Sequence, residues 1–175
     1  MTAATRPLLL LATVGALAAG CGGTSGKGAA TSTSTDATAT STQTSEASLK
    51  AAVRTAIRSN VQLSTYVLWH NRVPAWATRS TRGPALTALR SAAATRRKQG
   101  IQIRNLSGSY TIVSIALAPS YTTATAVIRS HQRVAPYKAG HRLGKAITAN
   151  NHANVQLHRL VNTQRFVVWR VSTTQ

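Results

Sequence analysis

The hydrophobic rhythm of this chain changes at Gly100, and the change limits the folds open to it. Before that glycine, apolar residues recur at helical spacing. Leu49, Val53, Ile57, Val61 and Leu68 lie along one side of residues 47–71, with Lys50, Arg54 and Arg58 on the other. Pro74 and Gly83 interrupt the next stretch and leave room for a short helix or loop around Trp76. Pro84 suits the first turn of a second long helix, which turns Leu86, Leu89, Ala92 and Ala93 inward and stops at Gly100. Arg96, Arg97 and Lys98 occupy its last turn, where cations complement the negative helix end.

After Gly100 the period falls to two. Thr111, Val113, Ile115 and Leu117 share one face of a strand, and Ala118, Pro119 and Ser120 make a turn. Residues 121–134 form a long second strand. Residues 135–151 read as a loop because basic and turn-forming residues alternate there. A strand over 152–161, a turn at 162–164 and a last strand over 166–172 complete the chain. Helices first and an antiparallel meander of about four strands afterwards give an α+β domain with helices on one sheet face.

Charge is the second constraint. From Ala47 onward there are four Lys, fifteen Arg and no Asp or Glu, since Asp36 and Glu46 both precede that point. A domain of this composition has no side-chain salt bridge of its own. Its cations repel one another or meet anions provided from outside, and such contacts weaken with salt. Carboxylate acid-base chemistry and paired-carboxylate glycoside cleavage are excluded with the carboxylates. The histidines at 70, 131, 141, 152 and 158 lack an acidic partner to orient them, and no G-x-S-x-G elbow is present. Their scattered spacing among cations disfavours a metal site, and nothing points to a cofactor.

The N-terminal region is built differently. Arg6 gives a positive start, Pro7 to Gly20 is an apolar stretch of 14 residues, and Leu17-Ala18-Ala19-Gly20-Cys21 follows with small side chains before the chain's one cysteine. A helix needs about 20 apolar residues to span a bilayer, so residues 1–20 read as an export signal. The exit resembles the lipobox of bacterial lipoproteins, although Ala18 stands where that family favours Leu. The resemblance implies that the chain is cut before Cys21 and that its thiol carries a diacylglycerol, whose two acyl chains, palmitate for example, anchor it stably on the outer face of the cell membrane. Residues 21–46 then form a linker: 13 of the 25 residues from Gly22 to Glu46 are Ser or Thr, a composition that cannot bury enough surface to order itself. Residues 47–175 are the basic α+β domain.

Long helices followed by a meander that closes on LHRLVNTQRFVVWRVS, residues 157–172, resemble the nuclear-transport-factor-2-like superfamily. A cystatin-like domain is the alternative. The superfamily's cone-shaped fold serves enzymes and binding proteins alike, and its enzymes rely on a pocket carboxylate that this domain lacks, so no catalytic residue carries over.

Three sets of cations are candidate anion-binding sites. Arg129, His131 and Arg133 alternate with Ile128, Ser130, Gln132 and Val134, so the basic side chains share one strand face, which Asn154, Gln156, His158 and Arg170 extend. Lys138, His141, Arg142 and Lys145 lie in a loop with Gly140 and Gly144, whose backbone can approach an anion. Arg96, Arg97 and Lys98 form the third set. Trp69, Trp76 and Trp169 are expected in the core or lining a pocket, and the low aromatic content offers no stacking platform for nucleic acid, which ranks below membrane and wall polyanions as a partner. These features describe a lipid-anchored, non-enzymatic extracytoplasmic protein that docks on anionic lipid or cell-wall polymer. A ligand-binding or enzymatic cone, and an accessory subunit of a membrane protein complex, are the other readings.

Overall fold

The structure, a computed structural model, describes residues 45–174. The expected signal peptide, Cys21 and nearly all of the linker lie outside the described residues. Two long helices precede an antiparallel sheet: α1 (Glu46–His70), α2 (Gly83–Gln99), β1 (Ile101–Leu117), β2 (Thr123–Lys138), β3 (His141–Arg142), β4 (Ile147–Arg159) and β5 (Phe166–Thr174). The fold class is the one the sequence indicates.

Helix α1 starts where Ser45 caps it, accepting a hydrogen bond from the Ser48 amide at 3.2 Å. Glu46 is therefore the first helical residue, not the last of the linker. There it faces the positive helix end and pairs with Lys50 at 2.6 Å. The buried stripe runs through Leu49, Val53, Ala56, Ile57, Leu63 and Val67. Val61 and Leu68, expected in that stripe, are only half-buried. A repeat of four residues drifts by about 40° per step against a period of 3.6, so the inward line passes to Asn60 and Leu63.

Between the helices, a 3₁₀ turn over Ala75–Arg79 leads to a short parallel bridge of Thr81 with Val168, which covers part of the β5 edge. Asn60 donates to the buried Thr81 hydroxyl at 2.7 Å and fixes that crossing. Gly83 then takes φ +56°, and a Cβ on it would stand 2.7 Å from the Trp169 ring. Only glycine fits both the backbone and the contact.

The two helices meet at the C-terminal end of α1. Asn71 closes that helix in the left-handed conformation (φ 50°) and donates from its side chain to the Ile101 carbonyl at 2.6 Å. Arg96 of α2 donates to Asn71 Oδ1 at 3.1 Å and to the Val67 carbonyl at 3.3 Å. The Val67 carbonyl also accepts from the Asn71 amide at 3.0 Å, so the guanidinium is a second donor at the helix end. Burial holds its pKa below the usual arginine value.

Strands β1, β2, β4 and β5 are neighbours in that order, and β3 pairs with the end of β2. Helix α1 touches both outer strands, so the sheet curves around it without closing. The larger core lies in this concavity and joins Leu49, Val53 and Ile57 to Ile128, Val155, Leu157, Phe166 and Val168. Ala124 and Ala126 beneath them keep helix and sheet close. A second cluster, Leu63, Val67, Ala77, Leu86 and Ala93, fills the space between the helices.

Three strand boundaries differ from expectation. Strand β1 begins directly after the Gly100 cap, ten residues ahead of the alternating run at Thr111. Strand β2 reaches Lys138 and β4 starts at Ile147, so most of the expected loop over 135–151 is hydrogen-bonded sheet. A register shift between Ile112 and Ser114 makes Val113 a bulge, which turns Tyr110 and Ile112 inward before it and Ile115 and Leu117 inward after it. Val113 itself is 49% exposed, away from the face it was expected to share with Ile115 and Leu117.

Two substitutions test these joints. Arg96→Ala should cost about 2 kcal/mol in urea unfolding, the worth of charge-assisted hydrogen bonds at a buried helix end, whereas Arg97→Ala and Lys98→Ala should each stay within about 0.5 kcal/mol. Gly83→Ala should destabilise by about 2 kcal/mol or more, because neither the backbone angle nor the indole leaves room for the methyl group.

Candidate anion-docking surface

Strict alternation along β2 separates two faces. Ala124, Ala126 and Ile128 are buried under the helices, while Arg129, His131 and Arg133 are exposed on the other side. The expected row is therefore present and faces solvent. Its successive side chains are about 7 Å apart, the repeat of every second strand residue.

The register fixes what surrounds them. Arg129 lies between Thr111 of β1 and His152 of β4, His131 between Ser109 and Asn150, and Arg133 between Ser107 and Thr148. Each cation is flanked by neutral hydroxyl or amide groups or by an imidazole, never by a carboxylate. The His131 ring nitrogen Nδ1 lies 2.6 Å from Asn150 Oδ1, a cross-strand hydrogen bond that holds the ring in the row. Asn154, Gln156 and Arg170 extend the polar face as expected, with Gln156 directly opposite Arg170. His158 does not join it as a free group, since it stacks on Trp169 with ring centroids 4.6 Å apart.

The second set sits at the far end of β2. Ala139 (φ 47°) and Gly140 (φ 81°) both take left-handed backbone, making the tight two-residue turn from β2 into β3. Gly144 (φ 72°) turns the chain again before β4. These glycines shape the loop, and Lys138, His141, Arg142 and Lys145 stand exposed around it. Tyr137 pairs with Arg142, which places Arg142 on the side of the ribbon that Tyr137 turns toward Trp69.

The third set divides. Arg97 and Lys98 are exposed, while Arg96 is committed to the end of α1. Pairing of Ile101 with Lys138 brings the α2 terminus next to the end of β2, so two sets that looked separate meet at one end of the domain. The Lys138 stem lies 3.7 Å from where a Gly100 Cβ would be. No local sequence signal links these positions; only the pairing of β1 with β2 does.

The face that packs on the helices switches from even to odd positions along β2. Ala135 is fully buried and Tyr137 meets Trp69 of α1 edge-on at 5.8 Å. The right-handed twist of a long ribbon, increased by the register shift between Asn105 and Ser107, accounts for the change. Arg104 lies over the same Trp69 ring at 5.9 Å. None of the three tryptophans is fully buried, and Trp76 is 40% exposed against Tyr66.

Two open depressions mark the surface. One of about 350 Å³ lies between the start of α1 and the β1–β2 hairpin, lined by Lys50, Leu117 and Tyr121, and another of about 290 Å³ lies beside Arg79, Arg165 and Phe166. Neither contains a residue of the three basic sets. Among the described residues, no three His, Cys, Asp or Glu side chains converge as a metal site would require, and no helix is long and apolar enough to cross a membrane.

No protein-family model matches the chain, and no curated protein matches it. Its fold is similar to the crystal structure of the intermembrane space region of the chloroplast protein ARC6, with a TM-score of 0.60 at 8% identity, over 69% of this chain and 92% of that one. At that identity the likeness shows the fold alone: helices packed on a curved antiparallel sheet.

Proposed function

We propose that this chain is a lipid-anchored extracytoplasmic protein, held at the outer face of the membrane through Cys21, whose basic domain docks on an anionic surface, membrane lipid or cell-wall polymer. One observation carries the docking reading. Among the described residues Glu46 is the only carboxylate side chain, and it is paired with Lys50, so Arg129, Arg133, Lys138, Arg142 and Lys145 stand in solvent with no acidic neighbour. Their counter-charge comes from outside the fold. The anchoring half rests on the Leu17–Cys21 signal, and a tether raises the effective concentration of weak contacts.

The fold type we favour is nuclear-transport-factor-2-like, supported by the order of helices and meander. A ligand-binding cone has less support, because Leu49, Ile57, Leu157 and Phe166 pack together in the concavity where such a ligand would sit. An accessory role in a membrane complex draws on the same cations, with an acidic protein in place of lipid or polymer.

Sedimentation with vesicles of phosphatidylglycerol and phosphatidylcholine, and with extracted anionic wall polymer, tests the proposal. At about 50 mM salt the chain from Cys21 onward, prepared without its lipid, should bind at least one of the two and ignore pure phosphatidylcholine. Arg129→Gln combined with Arg133→Gln should weaken binding roughly tenfold or more, each cation near an anionic surface being worth about 1 kcal/mol. Raising salt to about 0.5 M should release the complex. Failure to bind either anion at low salt would end the docking reading.

A further inference from the structure

We infer that the corner made by the β2–β3 turn, β3 and the first residue of β4 enters an anionic bilayer, with Leu143 and Ile147 in the apolar interface and Lys138, Arg142 and Lys145 on the lipid phosphates. The inference rests on the docking reading above and chooses lipid over wall polymer. Its first ground is exposure. Leu143 is 40% exposed and Ile147 37%, large apolar side chains left in water within a run of cations.

The second ground is register. Val134 lies directly opposite Ile147, and the Leu143 amide donates to the Pro136 carbonyl at 2.8 Å. Alternation therefore gives Val134, Pro136, Leu143 and Ile147 one ribbon face. A polymer of phosphates has no use for such a face, whereas a bilayer offers headgroups and hydrocarbon within a few ångströms of each other.

The third ground is shape. The tight turn at Ala139–Gly140, the Leu143 amide bond to Pro136 and the pairing of Ile147 with Val134 hold the two apolar residues against β2, which lowers the ordering cost of insertion. Lys138, Arg142 and Lys145 meet no carboxylate among the described residues, where Glu46 pairs with Lys50. Basic side chains around a small apolar tip describe the interfacial mode of membrane attachment, in which both contributions add.

Co-sedimentation of the chain from Cys21 onward, prepared without its lipid, separates the possibilities, because neither an acyl chain nor the apolar segment before Cys21 then contributes to vesicle binding. The probes are phosphatidylglycerol–phosphatidylcholine vesicles and soluble polyphosphate, which presents phosphates without hydrocarbon. Leu143→Ser combined with Ile147→Ser should lower vesicle affinity roughly tenfold or more while leaving polyphosphate affinity within about twofold. Arg142→Gln with Lys145→Gln should weaken both. Leu143→Trp, which keeps an interfacial side chain, should retain or strengthen vesicle binding, and urea midpoints equal to wild type show that the variants fold. Undiminished vesicle binding by the double serine variant overturns the inference but leaves the docking reading standing. Binding of polyphosphate without vesicles also overturns it, and assigns the surface to a polymer or an acidic protein. Binding of neither probe removes the docking reading itself.

Discussion

The described fold contains one carboxylate side chain, and the rest of the structure accommodates that fact. Its arginines are neutralised by no acid, so they turn to carbonyl oxygens, a phenol and aromatic faces. Arg82 donates to the Thr78 carbonyl at 3.0 Å, Arg159 to the Thr163 carbonyl at 2.6 Å and Arg165 to the Arg79 carbonyl at 3.3 Å. Arg72 donates to the Tyr66 hydroxyl at 3.0 Å, and Arg104 lies over Trp69. The planar, multiply donating guanidinium suits all of these, and an ammonium would suit few. Fifteen of the nineteen cations after residue 46 are arginine, which fits that demand.

Cohesion therefore falls to apolar packing and the sheet ladder. The long β1–β2 ribbon curves around α1, and the helix reaches both outer strands. Over residues 124–133, β2 keeps its basic side chains off the concave side, presenting alanines and Ile128 to the core and Arg129, His131 and Arg133 to solvent. The same alternation that builds the core thus builds the charged face. At the end of the ribbon, exposed Leu143 and Ile147 stand beside Arg142 and Lys145, the corner we propose for docking.

Much of this was legible in the residues. The period change at Gly100 and the caps around it mark the passage from helix to sheet, and alternation alone places Arg129, His131 and Arg133 together. The bulge at Val113 was not legible, because a one-residue slip inverts a face without altering composition. Residues 135–151 looked like loop because Gly140 and Gly144 dominate the local signal, whereas the pairing that makes them sheet comes from β2 and β4. Arg96 was indistinguishable from Arg97 and Lys98, since each step along a helix rotates a side chain by about 100° and only the position of α1 decides which one is captured. The meeting of the α2 end with Lys138 is likewise a product of the β1–β2 register.

A fold whose cations have no internal counter-charge should gain stability from an external one. The direct measurement is thermal unfolding of the full chain at fixed, low ionic strength, with polyphosphate added against a matched amount of neutral dextran. The account requires polyphosphate to raise Tm by roughly 5 °C or more, through binding to the folded state and relief of repulsion, while dextran does not. A Tm that polyphosphate leaves unchanged or lowers would contradict it, and would mean that the cationic faces neither strain the fold nor bind the anions they are held to recognise.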